Sequence, residues 1–430
     1  MKTIEVPALA RVEGEGGLYI GVKDDQVVEI RLDIYEPPRF FEGFLVGRFL
    51  QEVPDITARI CGICPVAYQM SSVIALEKSL DVEVSAQVYA LRRLMYCGEH
   101  IESHALHIYL LQAPDLLGYP SALDLAAIAP ELVKNALRMK KIGNDVLKAI
   151  GGRSVHPVNA CVGGFYRWPD AASLNALIPE LDWGLEAAKQ TVQWSLTLPY
   201  PDLEIDYEFV AIHHPEEYGV MRGDVLSSKG YKTSVADYEM RYFEEHVQHS
   251  NALHGHTAFG GTYLVGPLAR LNLNHPQLLP AAQKSLKDAK LNLPLKNPYK
   301  SLIARAVELV NFYEEAIQLI KAYHPDQPAH ANLKLKAGEG CGMSEAPRGL
   351  LYHRYKIDEQ GMVKFARIVP PTAQNLPRIE ADLFVLAPTL VKMEQEQATL
   401  TAEHLVRSYD PCISCATHFL KLKVEDVGQA

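Results

Sequence analysis

Nowhere in these 430 residues does an apolar run approach the roughly 18 consecutive residues that a membrane-spanning helix requires. The N-terminus, MKTIEVPALARVEGEGG, lacks the apolar core of a secretory signal. Basic clusters are missing too. With 42 Lys and Arg against 52 Asp and Glu, the net charge is −10, which argues against a nucleic-acid partner. There is no low-complexity tract, no evident repeat and no linker-like stretch that would divide the chain. Nor is there a flavin or nucleotide fingerprint. Cysteine is scarce: seven residues, an odd number in a long chain, which speaks against a secreted disulfide scaffold and for reduced thiols in the cytoplasm. What remains is ordinary globular composition, 48% hydrophobic and 22% charged, long enough to bury a large core.

Four of the seven cysteines form two Cys-x-x-Cys pairs at opposite ends, Cys61/Cys64 and Cys412/Cys415. Two thiolates at this spacing can grip a metal from one local turn. The pairs are offset by 412 − 61 = 351 positions, so a shared metal forms only after nearly the whole chain has folded. Taken alone, the pairs fit a structural zinc site, an iron–sulfur or other thiolate-bound metal, or redox dithiols. Zinc pairs usually lie about 15–20 residues apart, and this wide separation weakens that option without excluding it.

The patterning predicts a mainly α (α+β) protein: one large helical domain with β hairpins near the N-terminus, in the middle and at 350–369. Residues 1–35 read as strands, with VVEIRLDIY alternating apolar and polar. Pro65 suits the first turn of a helix running to about Leu80. Helices follow from about Ser85 to Gln112, ended by Pro114, and from about Glu131 to Ile150, stopped by Gly151-Gly152. Further helical patterns cover 178–197, 299–323 and 380–408, and 200–265 is mixed and rich in Tyr and His. Asp358-Glu359-Gln360-Gly361 marks the turn of the 350–369 hairpin.

The surroundings of the cysteines are more specific. The first pair reads Arg59-Ile60-Cys61-Gly62-Ile63-Cys64-Pro65, the second Asp410-Pro411-Cys412-Ile413-Ser414-Cys415-Ala416-Thr417-His418. Between them stand Arg11-x-Glu13-Gly14, Arg39-x-x-Glu42, Gly151-Gly152-Arg153-x-x-His156-Pro157, Val265-Gly266-Pro267-Leu268-Ala269-Arg270, Glu345-Ala346-Pro347-Arg348-Gly349 and Pro371-Thr372-x-x-Asn375. Together these resemble, in order and over positions 11 to 418, the large subunit of nickel–iron hydrogenases, of the soluble bidirectional, nicotinamide-linked or sulfhydrogenase-like type.

That resemblance implies reversible heterolytic cleavage of dihydrogen. Cys61 and Cys412 would bind nickel terminally; Cys64 and Cys415 would bridge it to an iron carrying cyanide and carbon monoxide. Soft thiolates suit nickel that cycles oxidation states. The proton would pass first to Cys415 and then to Glu13, since a desolvated carboxylate beside thiolates suits a relay; outside the motif, Glu13 reads as a turn residue beside Gly14. Arg348 would orient ligands over the open face, although on its own it reads as an ordinary salt-bridge partner. Pro371 and Thr372 would line the pocket for the diatomics, where Pro-Pro-Thr alone suggests a stiff turn. Glu42, the Ile368 carbonyl and His418 would hold magnesium or iron at a second site.

Two positions depart from the family: Tyr68 replaces a frequent histidine, and Gln374 a usual tryptophan. Tyrosine carries a proton less readily near neutral pH. The resemblance further implies a single catalytic domain at 1–418 and a C-terminal extension, 419–430, cut off after His418 by a maturation endopeptidase once nickel-insertion factors have loaded the site. Electrons would leave through an iron–sulfur small subunit, with diaphorase or other electron-transfer subunits beyond it. The competing readings are a respiratory-complex relative without metal, which the four cysteines argue against, and a zinc scaffold.

Three sets of residues are expected to be structural. His100, His104 and His107 share a helix face and suit aromatic-polar packing beneath a partner subunit. Cys97, Cys161 and Cys341 suit small buried positions. His246, His249, His254 and His256 have no acidic partner in a recognisable ligand spacing and are assigned no role.

Overall fold

The computed structural model describes residues 2–24, 26–325 and 327–417; His418 and the 419–430 extension lie outside them. Helices dominate, with small antiparallel sheets set around them. The expected N-terminal strands form a three-stranded meander of Lys2–Val6, Gly17–Lys23 and Gln26–Asp33. The mixed middle holds the three strands Val210–His213, Asp224–Ser227 and Lys232–Thr233, and a separate pair, Tyr242–Glu245 with His254–Thr257. No described helix is long and apolar enough to cross a membrane.

The long helices sit where expected. Pro65–Leu80 starts at the proline that follows Cys64, and Ala86–Leu106 starts behind Ser85, whose hydroxyl accepts the Val88 N–H at 3.2 Å. One stop was misplaced. Pro114 does not end the second helix: the chain widens into a π-helical stretch, His107–Gln112, and continues as Ala113–Leu117 to Gly118. Proline removes one N–H and its ring crowds the carbonyl four residues back. A widened turn accommodates both without breaking the rod.

The histidine face packs within this chain's own core. His100 lies against Phe312 at 4.3 Å between ring centroids, His104 Nε2 is 2.7 Å from Glu308, and His107 Nε2 is 2.8 Å from the Arg407 carbonyl. Cys97 and Cys161 are buried, whereas Cys341 is half-buried and accepts a hydrogen bond from the Tyr352 hydroxyl at 3.2 Å.

The 350–369 hairpin gains a strand that periodicity did not reveal. Gly338–Ala346 pairs with Gly349–Ile357, which pairs with Val363–Val369. Pro347 and Arg348 form the tight connection between the first two, placing Arg348 at a hairpin tip. The added strand is glycine-rich because it lies directly on a helix backbone. A Cβ at Gly338, Gly340 or Gly342 would sit 2.1, 2.1 or 2.3 Å from the carbonyl oxygens of Ser79, Ala75 and Ser71. Period two on the strand thus meshes with period four on the helix that begins at Cys64. Gly340→Ala is expected to destabilise the protein by about 1–3 kcal/mol or more through this clash, seen as a lower urea midpoint at unchanged m-value.

Candidate metal centre

The two cysteine pairs meet. All four thiols are buried, and their sulfur atoms lie within 4.8 Å of one another. They approach pairwise across the site, Cys61 to Cys412 at 3.7 Å and Cys64 to Cys415 at 3.9 Å. The first pair is formed by a short loop in which the Ile63 and Cys64 N–H groups both donate to the Cys61 sulfur at 3.3 Å. The second pair frames the single helical turn Ile413–Ala416.

Arg39 stitches the two ends together. Its guanidinium donates to the Ile60 carbonyl at 2.8 Å and also to the Ser414 carbonyl, while its backbone N–H reaches the Thr417 carbonyl at 2.7 Å. Glu99, which sequence reasoning passed over, caps the helix behind Cys64 by accepting the Val66 and Ala67 N–H groups at 2.6 and 3.1 Å. Burial nonetheless pushes its carboxyl well above the usual carboxylate range.

Glu13 is half-buried beside the cluster. Its backbone bridges to Cys412, with the Ile413 N–H donating to the Glu13 carbonyl at 2.8 Å. Its side-chain Oε2 accepts from the Cys412 thiol at 2.9 Å and from the Ser414 N–H at 3.1 Å. The sulfur that meets this carboxylate is therefore that of Cys412, where the motif reading put Cys415 first on the path.

Arg348 enters from the hairpin tip and is both salt-bridged and directed to the thiols. Nη2 pairs with Asp410 at 2.9 Å and Nε donates to the Asp410 carbonyl at 2.7 Å. Nη1 is buried with no hydrogen-bond partner among the described residues. Asp410, whose charge raises the Arg348 pKa ahead of those of Cys412, Cys64 and Cys61, is the seat that sequence reasoning missed. Thr372 sits in the first turn of the helix Pro371–Leu390, and its Oγ1 accepts the Cys412 N–H at 2.9 Å. Tyr68 is fully buried; burial, then the neighbouring charges of Cys415 and Cys64, pushes its phenol well up, so it stays protonated. Gln374 donates to the Leu350 carbonyl at 2.6 Å beneath the hairpin. Glu42 accepts the Ile368 N–H at 2.8 Å, bringing together two of the three residues expected at a second metal.

These surroundings fit a thiolate-bound metal. Hydrogen bonds from Cys412, then Cys415 and Cys64, hold Cys61 well below the usual thiol range, while burial pushes Cys412 and Cys415 up. Four buried thiolates together repel one another, and a multivalent cation removes that conflict. Arg348 Nη1, without a hydrogen-bond partner among the described residues, leaves a buried donor beside them.

A buried four-thiol centre closed by both ends of a helical α+β chain defines a thiolate metalloprotein. A family model described as nickel-dependent hydrogenase matches residues 39–160 and 260–418, and the chain belongs to that family of oxidoreductases acting on dihydrogen. It is 36% identical over 426 residues to sulfhydrogenase 1 subunit alpha of Pyrococcus furiosus, spanning 97% of this chain and 98% of that one. To NAD-reducing hydrogenase HoxS subunit beta of Cupriavidus necator it is 26% identical over 478 residues, spanning 97% and 95%. Among solved structures, an NAD+-reducing NiFe-hydrogenase in the H2-reduced state matches with a TM-score of 0.86 at 26% identity, over 97% of this chain and 100% of that chain.

Proposed function

We propose that this chain is the catalytic large subunit of a nickel–iron hydrogenase, interconverting dihydrogen with protons and electrons. The observation that carries this is the four-thiol cluster with the Glu13 carboxylate 2.9 Å from one of its sulfurs. Cys61 and Cys412 would hold nickel, and Cys64 and Cys415 both nickel and iron, in keeping with their pairing across the site. When bound, a nickel–iron centre with cyanide and carbon monoxide on the iron supplies the heterolytic cleavage of dihydrogen.

The protein's part is to move the proton and orient what binds. A proton on the Cys412 sulfur is one hydrogen-bonded transfer from Glu13 Oε2, so we assign Cys412, rather than Cys415, as its first stop. Arg348 is held by Asp410 so that Nη1 serves the site, and Pro371 and Thr372 shape the pocket at the start of their helix. Glu42, the Ile368 carbonyl and His418 would take magnesium or iron, with oxygen donors favouring a hard cation.

The catalytic domain is assigned to 1–418, with 419–430 removed after His418. Among the described residues the cysteine cluster is the one all-thiol group, so electrons leave through an iron–sulfur small subunit. One relative's name, NAD-reducing hydrogenase, supports nicotinamide linkage, and the subunit designations of both support a complex of several subunits, to which we assign further electron-transfer subunits and a cytoplasmic location. Purified active protein is expected to contain nickel together with iron, to show cyanide and carbonyl infrared bands, and to have an intact mass of this chain ending at His418. Zinc alone would overturn the metal assignment, and a full-length active chain would overturn the processing.

A further inference from the structure

The histidine-rich segment acquires an acidic partner on folding. His249 and His254, the latter opening the strand His254–Thr257, lie against Glu380 of the helix Pro371–Leu390. One ligand atom from each residue lies within 4.8 Å of the other two. His249 Nε2 stands 3.0 Å from Glu380 Oε1, and His254 Nδ1 stands 3.9 Å from Glu380 Oε2. The imidazoles meet edge to face at 5.5 Å. Two ligand atoms, each about 2.1 Å from a tetrahedral zinc ion, lie about 3.4 Å apart; the two His–Glu separations fall on either side of that value, one to each carboxylate oxygen.

Hydrogen bonding among the three does not account for the arrangement. His249 and Glu380 form a complete pair without His254. His254 is only 2% exposed, yet its Nε2 has no hydrogen-bond partner among the described residues, and its Nδ1 is beyond hydrogen-bond reach of the carboxylate. Nδ1 is the nitrogen that faces the carboxylate and is the one placed to ligate, while Nε2 on the far side of the ring carries the desolvation cost. Burial, followed by the nearby His249 and His256, brings the His254 pKa down to about 3, which keeps it in the neutral form that ligates metals. The carboxylate is already oriented, because Glu380 Oε1 also accepts the Leu32 N–H at 2.8 Å. Side-chain exposures of 24% for His249 and 16% for Glu380 leave a path from solvent.

We propose that His249, His254 and Glu380 bind one divalent transition cation of the zinc type, with water completing its coordination. Two imidazoles and a carboxylate suit such borderline ions better than magnesium or calcium. The ion would tie the segment before His254 to the helix Pro371–Leu390 and, through Leu32, to the N-terminal sheet. The same helix carries Thr372 against Cys412 at its start, so the role is a structural brace behind the cysteine centre.

Cobalt(II), followed by difference spectroscopy on protein whose cysteine centre is already loaded with nickel and iron, is the probe. One equivalent is expected to bind with weak visible bands of a nitrogen–oxygen site, without the intense near-ultraviolet thiolate absorption that marks cobalt at the cysteines. Zinc should displace it, and two imidazoles should show paramagnetically shifted proton resonances. His249→Gln, at a partly exposed position, should keep the native circular dichroism and lose at least tenfold in affinity, as should Glu380→Gln. If Glu380→Gln unfolds through loss of the Leu32 contact, His249→Gln and the wild-type imidazole resonances decide. A wild-type protein showing no thiolate-free cobalt spectrum, or binding unchanged in His249→Gln, overturns the proposal.

Discussion

Replacing Glu13 with glutamine is expected to leave nickel and iron content unchanged and to slow dihydrogen–deuteron exchange by at least about 100-fold. Glutamine has the same length and still offers an oxygen to the Ser414 N–H, which Glu13 now binds at 3.1 Å. The backbone bond from the Ile413 N–H to the residue 13 carbonyl involves no side chain and persists. What glutamine cannot do is take a proton from the Cys412 sulfur 2.9 Å away. A loss of 100-fold corresponds to about 2.7 kcal/mol of barrier, far more than removing a turn contact would cause while the metals stay bound. Exchange within about threefold of wild type, in a protein with full metal content, would reduce Glu13 to a cap on the C-terminal cysteine loop.

Arg270→Met is expected to cost about 3–5 kcal/mol of stability. Arg270 is fully buried and is the cation between two carboxylates. It donates to Glu308 at 2.7 and 2.8 Å, to Glu345 at 3.2 Å, and to the Ala346 and Pro347 carbonyls at 2.9 and 3.0 Å. Methionine fills much of the space but leaves two buried carboxylates without a counter-charge and two carbonyls without a donor. The pH dependence has a definite sign. Burial, against the pull of Arg270, already pushes Glu345 up to about 7 from an ordinary 4.5. Such a raised acid contributes stability at low pH that is lost as pH rises from about 4.5 through 7. Without Arg270 the carboxyl is raised further, so the deficit relative to wild type should be larger at pH 8 than at pH 5 in urea unfolding. Equal deficits at the two pH values would mean that the loss is one of packing and not of charge. Because Arg270 also grips the two residues before Arg348, the variant should disturb the hairpin tip that presents Arg348 to the thiols.

The two halves of the site differed in how readable they were. Local signals sufficed where chemistry and geometry share one segment. Pro65 after Cys64 announced the helix Pro65–Leu80, and the Cys-x-x-Cys spacing put both sulfurs of each pair inside. Facts of register did not show. That Glu13 meets Cys412 depends on a parallel bridge between segments 399 positions apart. The anchoring of Arg348 on Asp410 depends on where a hairpin tip lands, and the strand that forms this tip alternates glycine against a helix instead of apolar against polar. A proline such as Pro114 usually stops a helix, and here a π-helical turn cancels that effect. His249 lacked an acid only in its own neighbourhood; Glu380 lies 131 positions further on.

The distance between the cysteine pairs has a thermodynamic side. Closing a loop of 351 residues costs only about 2.5 kcal/mol more chain entropy than closing one of about 20, because the penalty grows with the logarithm of length. The separation therefore costs the finished protein less than the loss expected for Arg270→Met. Before closure, however, each end offers only two thiols, and a two-thiol chelate holds a metal far less firmly than four. Tight retention of a metal at the four thiols then depends on the intervening fold bringing the two ends together.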